Sequence, residues 1–142
     1  MPAYKKILVL LDLTEASEQI AVAARDMAAH SNASMVLLHV VEFVPTEPMG
    51  ETLMPTVQIE EELAVRSLAK LNELSARLGL QALARVEAGN KKTEILRVAK
   101  EESADLIVLG SRIRHGLGIL VNFTEDTVLH AAHCDVLAIR LQ

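Results

Sequence analysis

Apolar and polar positions along this chain follow two periods that alternate from one end to the other. Ile7–Leu11 (ILVLL) is an unbroken apolar run ending at Asp12. A short run without polar alternation predicts a strand covered on both faces, as parallel strands are. Polar residues follow, with Thr14 as a candidate cap for a helix over 15–30. Ile20, Ala24, Met27 and Ala28 share one face of that helix by 3/4 spacing, and Asn32 ends it. A second covered strand is expected over 34–41 (SMVLLHVV).

Pro45, Pro48, Gly50 and Pro55 then break any regular period, which predicts a loop or crossover over 42–56. That segment could gate a cleft, contact a partner or be disordered. A long helix follows over 57–78, with Ile59, Leu63, Leu71, Leu74 and Leu78 as its apolar stripe and Gly79 as the residue that ends it. Residues 81–88 form a weaker strand in which Arg85 and Glu87 are polar, as at a sheet edge. Gly89-Asn90 marks a turn. A short helix over 93–103 turns Ile95, Val98 and Ala99 inward. Asp105–Leu109 (DLIVL) is a fourth strand, a glycine-containing loop begins at Gly110, and a helix is expected over 121–132. Asp135–Leu141 (DVLAIRL) is the fifth strand.

Strands alternating with helices predict an α/β fold with a parallel sheet and right-handed crossovers. Ligands in such folds sit beyond the carboxyl ends of the strands, where the strand order reverses. Asp12, Val40–Val41 and Gly110 all fall at such ends. At 142 residues the chain is read as a single domain over 1–142.

Composition narrows the class. Hydrophobic residues make up 51% and aromatics only 2%, so the core is aliphatic. A net charge of -5 argues against nucleic-acid binding, which needs a basic face. One Tyr and two Phe cannot build a base-stacking platform. Cys134 is the only cysteine, which excludes an internal disulfide framework. The opening MPAYKKILVLLDL lacks a small-residue cleavage site, and no stretch approaches the ~18 apolar residues of a membrane span. A soluble cytoplasmic protein without membrane insertion is expected.

The chemistry-bearing residues are few. Asp12 is either a ligand contact or a carboxylate that complements a helix dipole. His39, inside an apolar strand, reads as a hydrogen-bonded interior residue. His130, His133 and Cys134 lack the spacing of a metal motif, so no metal is expected. Ser111 stands in GSR rather than in a nucleophile elbow, and no catalytic residue is assigned. Glu60, Glu61 and Glu62 are read as a solvated helix start. Cys134 is read as a small buried hydrophobe, with a reactive thiol as the alternative.

KKILVLLDLTEAS, MVLLHVVE, ADLIVLGSR and VLHAAHCDVLAIRL, in that order and spacing, resemble the universal stress protein family. The resemblance spans essentially the whole chain. It implies an open Rossmann-like sandwich of the adenine nucleotide alpha hydrolase-like type. Five parallel strands run in order 3-2-1-4-5, with helices on both faces. It also implies a cytoplasmic stress-response homodimer built through the C-terminal strand, here Val136, Leu137, Ala138, Ile139, Arg140 and Leu141. The protein partner is unknown.

One branch of that family binds ATP. Its motif carries over onto Asp12 for the strand-one aspartate, Val40 for the adenine contact, and Gly110 with Ser111 for the first phosphate glycine and its neighbour. Then the match breaks. Ile113 stands at the second glycine position, and Asn122 with Phe123 at the third glycine and its hydroxyl residue. A phosphate cradle needs converging backbone N–H groups, often at φ > 0 or with no Cβ in the way, and a β-branched Ile suits that poorly. The resemblance therefore implies a degenerate loop with weak or no ATP binding and no cofactor. Two alternatives stay open. Arg112 and Arg114 can hold the phosphates of ATP or AMP by side chain, giving a nucleotide-responsive regulatory module. A slow ATP hydrolase working with magnesium is the other, and its nearest acids would be Glu125 and Asp126.

Overall fold

The structure, a computed structural model, describes residues 3–42, 56–112, 128 and 130–141, with only the backbone of 56–59 and 112. Five strands make one sheet: β1 (Lys6–Leu10), β2 (Ser34–Val41), β3 (Ala82–Ala88), β4 (Leu106–Arg112) and β5 (Asp135–Leu141). Its order is β3-β2-β1-β4-β5 and every pairing is parallel, as the alternating periods predict. The helices are α1 (Ser17–Ser31), α2 (Thr56–Arg77) and α3 (Lys91–Glu101), with a further helical segment that includes Val128.

Each face of the sheet has its own aliphatic core. On one, Ile7 and Val9 of β1 and Leu37 of β2 meet Ile20, Ala24 and Ala28 of α1 and Leu71 and Leu74 of α2. On the other, Leu8, Val36, Leu38 and Ile107 meet Ile95 and Val98 of α3 and Val128. β1 is central, so Ile7, Leu8 and Val9 are wholly buried. That is why its run shows no polar alternation.

Several local expectations shift. α1 begins at Ser17 behind an N-cap at Ala16 that makes no side-chain cap. Thr14 is not the cap, because its hydroxyl goes to Asp12 (2.7 Å). Asn32 ends α1 in the left-handed region at φ 54°, and Gly79 follows α2 at φ 67°, both as expected. Asn90 does more than mark a turn: its side chain accepts from the N–H of Thr93 (3.1 Å) and caps α3.

The stripe expected on α2 is only half right. Leu71 and Leu74 are buried and Leu78 packs against them, but Leu63 is 43% exposed. Among the described side chains of α2 the buried ones are Ser67, Leu71, Leu74 and Ser75, all in its later part. The helix starts at Thr56 and has no acidic residue in its first turn. Glu60–Glu62 therefore sit one turn in and contribute little to the dipole.

β3 is the sheet edge that its polar positions predict, and its charges are organised. Arg85 donates to Glu87 (3.1 Å) and Glu102 (3.0 Å). Arg97 of α3 reaches Glu87 (2.7 Å) and Glu94 (2.8 Å), and Lys6 of β1 approaches Glu102 (3.5 Å). The network ties α3 to the edge strand.

Candidate functional site

The carboxyl ends of β1, β2 and β4 bring Asp12, Val40, Gly110 and Ser111 to one end of the sheet, as the strand order requires. The turn after β1 is held on both sides. The N–H of Leu11 donates to the carbonyl of Leu38 (2.9 Å), and Nδ1–H of His39 donates to the carbonyl of Leu11 (2.8 Å). His39 is thus the hydrogen-bonded interior residue expected. Its consequence was not legible: it pins the residue before Asp12. Leu13 then enters the left-handed region at φ 62°, a strained position for a side chain with a Cβ.

Asp12 is exposed, and it organises the turn. Its Oδ1 accepts from the N–H of Thr14 (3.1 Å), the hydroxyl of Thr14 (2.7 Å) and the hydroxyl of Ser17 (3.2 Å). Partial burial pushes the carboxyl up. The hydrogen bonds from Thr14 and Ser17 outweigh it and hold the group below the ordinary carboxylate value. It is ionised at neutral pH, and all three bonds fall on Oδ1. Beside this turn, Leu13, Thr14, Ser17, Lys70 and Arg77 line a cleft of about 320 Å³ between α1 and α2.

Val40 does not present its side chain to the cleft: it is 3% exposed and packed in the core on the α3 side. A ligand there would meet its backbone. Gly110 and Ser111 do not open a loop either. β4 continues through them to Arg112, with Gly110 opposite Ile139 and Ser111 opposite Arg140. The strand boundary expected at Leu109 is corrected accordingly. A Cβ at position 110 would lie 2.7 Å from Leu141 Cδ1 and 2.8 Å from Ile20 Cδ1. The glycine therefore lets the side-chain ends of Leu141 and Ile20 pack closely against β4. Arg114, Asn122 and Phe123, with Ile113, lie outside the described residues, as does the side chain of Arg112.

At this end of the sheet the described residues offer two kinds of polar group. Asp12 offers an ionised carboxylate, and the end of β2 offers backbone groups. At the first glycine of the motif, β4 runs on through Gly110 and Ser111 in register with β5, so these two residues are extended strand rather than turn.

Cys134 is half-buried. Burial pushes its thiol up, and Asp135 and Asp105 add to the effect. That favours a packing role over a reactive thiol.

An open parallel sheet whose order reverses beside β1 defines a doubly wound, Rossmann-like α/β protein, and the carboxylate of Asp12 stands at that reversal. This chain belongs to the universal stress protein family, which it matches over residues 3–140. It is 35% identical over 144 residues to universal stress protein A homolog 2 of Coxiella burnetii, covering 100% of this chain and 99% of that one. To universal stress protein YxiE of Bacillus subtilis it is 30% identical over 147 residues, covering 96% and 99%. Among solved structures it resembles universal stress protein UspA from Lactobacillus plantarum (TM-score 0.81, 22% identity, 99% and 100% covered). It also resembles a universal stress protein in complex with cAMP (TM-score 0.73, 20% identity, 97% and 98% covered). At those identities the structural likeness speaks to the fold.

Proposed function

We propose that this chain acts as one domain in a cytoplasmic stress-response homodimer that binds ATP weakly or not at all and works through its surfaces rather than by catalysis. The observation that carries the nucleotide part is the environment of Gly110. The residue that resembles the first phosphate glycine is extended, paired with Ile139 and packed against Ile20 and Leu141. Its missing Cβ has a structural reason, so this glycine is no evidence for an anion. Ile113, Asn122 and Phe123 at the remaining motif positions lack the small side chains and the hydroxyl of the ATP-binding branch.

Assembly through β5 is supported by the contrast between the two sheet edges. β3 carries Arg85 and Glu87, locked in ion pairs, and charged residues blunt an edge against pairing. β5 carries Val136, Leu137 and Ile139, all half-buried, with Ala138 exposed. A two-fold pairing of β5 and its flanks with a second copy would cover them.

A second reading has its own support. Asp12 is exposed, ionised and uses only Oδ1 to hold its turn, so Oδ2 can meet a ribose diol, and one fold relative carries cAMP. In that reading Arg112 and Arg114 hold the phosphates. Calorimetric titration of the full chain with ATP and magnesium separates the two. Weak binding gives a dissociation constant near millimolar or no heat. A value at or below about 10 μM, roughly −7 kcal/mol, overturns the weak-binding proposal and makes Arg112 and Arg114 the residues to replace.

A further inference from the structure

The geometry points to a second ligand site, for a short aliphatic carboxylate, at the opposite end of the sheet from Asp12. A cavity of about 350 Å³ lies between the last turn of α3 and the segment entering β5. That is the lower end of the range for small-molecule sites, ~300–1,000 Å³. Leu96, Ala99, Ile107 and Ala132 form its walls, with Cys134 beside them. Ile107 is the second residue of β4 and pairs with Leu8. This places the cavity at the amino end of the strands, whereas Asp12 follows the carboxyl end of β1.

The walls ask for an apolar ligand and the rim asks for an anion. Lys100, Ser103 and His133 also line it and are exposed to solvent. Among the described lining residues there is no carboxylate. The acids nearest in sequence are engaged elsewhere. Glu101 and Glu102 pair with Arg85, Arg97 and Lys6. Asp105 accepts from the N–H groups of Lys5 and Lys6 (2.8 and 3.0 Å), and Asp135 accepts from the Tyr4 hydroxyl (2.8 Å). Lys100 itself makes no ion pair among the described residues. An exposed ammonium that makes no ion pair among the described residues, beside a small apolar cavity, matches a ligand with one negative end and a saturated tail. The ligand is held by burial of the tail and oriented by the charge-assisted hydrogen bond at its head.

Octanoate is the probe, and Cys134, the only cysteine, is the reporter. Octanoate is titrated into the full chain by calorimetry, and the rate of Cys134 alkylation by iodoacetamide is followed alongside. One saturable site is expected, with alkylation slowed about fivefold or more at saturation. Octanol, which keeps the tail and lacks the charge, binds about tenfold more weakly. Lys100→Gln, at an exposed position, lowers octanoate affinity to that of octanol and leaves octanol unchanged. Ala99→Leu fills the cavity and removes both. Unchanged alkylation in octanoate overturns the proposal. So does wild-type octanoate affinity in Lys100→Gln, whose fold is checked by its unaltered octanol binding. ATP leaves octanoate binding unaffected, and competition between the two ligands would place octanoate at the Asp12 end and overturn the assignment, whatever the nucleotide titration gives.

Discussion

Leu141 Cδ1 of β5 lies 2.7 Å from the point where Gly110 of β4 would carry a Cβ, so the last apolar residue of the sheet fills the space the glycine leaves. Ile20 of α1 closes the same space from above at 2.8 Å. The three residues join the edge strand, its neighbour and the first helix. Both intruding atoms are side-chain ends, and both belong to the core beneath α1.

Gly110→Ala is therefore expected to cost stability and spare the fold. The ends of Ile20 and Leu141 must shift to admit the methyl, which at flexible side-chain tips falls at the low end of overpacking costs, ~1 kcal/mol. Urea unfolding should show a lower midpoint with unchanged slope, and far-ultraviolet circular dichroism should be unaltered. A variant as stable as the parent would mean that the packing is looser than these distances imply.

Asp12 gives a pH signature. Its folded carboxyl sits below the ordinary value of 3.8, so the stability it contributes is fully present above that value. It is lost as the pH falls through 3.8 toward the lower folded value. Asp12→Asn keeps an oxygen for Thr14 and loses the charge. At neutral pH the variant should be less stable by under about 1 kcal/mol, because the group faces water. The gap should close as the pH falls below 3.8. Parallel acid-denaturation curves for the two proteins would contradict this role.

Arg85 is the hub of the β3–α3 network, with its side chain 20% exposed and its partners Glu87 and Glu102 at 23% and 18%. Arg85→Met keeps the aliphatic stem and leaves those carboxylates facing one another without their shared cation. Thermal unfolding at low salt should show a loss of about 1–2 kcal/mol. The loss should shrink as salt screens the carboxylate repulsion. A loss independent of salt would assign it to packing instead.

Ala138 tests the assembly. It is exposed on the outer strand β5, between the half-buried Leu137 and Ile139. Sedimentation of the parent protein should give a dimer, and Ala138→Lys should shift it to monomer with little change in monomer secondary structure. A parent protein that sediments as a monomer at all concentrations removes β5 as the interface.

Much of the fold is legible in the sequence because burial on two faces leaves a plain mark. ILVLL, SMVLLHVV and DVLAIRL mark three of the strands, Asn32 and Gly79 mark helix ends, and Ile95, Val98 and Ala99 show the inward face of α3. Where local signals competed, the reading slipped. Thr14 has the chemistry of a cap, but the Asp12 carboxylate takes its hydroxyl. Leu63 has the spacing of a core residue but is exposed, and the buried positions described on α2 begin at Ser67. Arg85 and Glu87 read as ordinary edge polarity, because the partners that make them a network come from α3 and β1.

The sequence by itself determined the period of each segment, the aliphatic nature of the core and the family of the chain, since these depend on neighbours within a turn or a strand. Only the tertiary structure shows what surrounds Gly110. In the sequence it reads as the first glycine of a loop. Its neighbours Ile20 and Leu141 are remote in sequence and come together when α1 and β5 pack against β4. The state of Asp12 was decided the same way. Its charge belongs to the sequence, while its lowered carboxyl and its posture come from donors on the turn that His39, one strand away, holds in place.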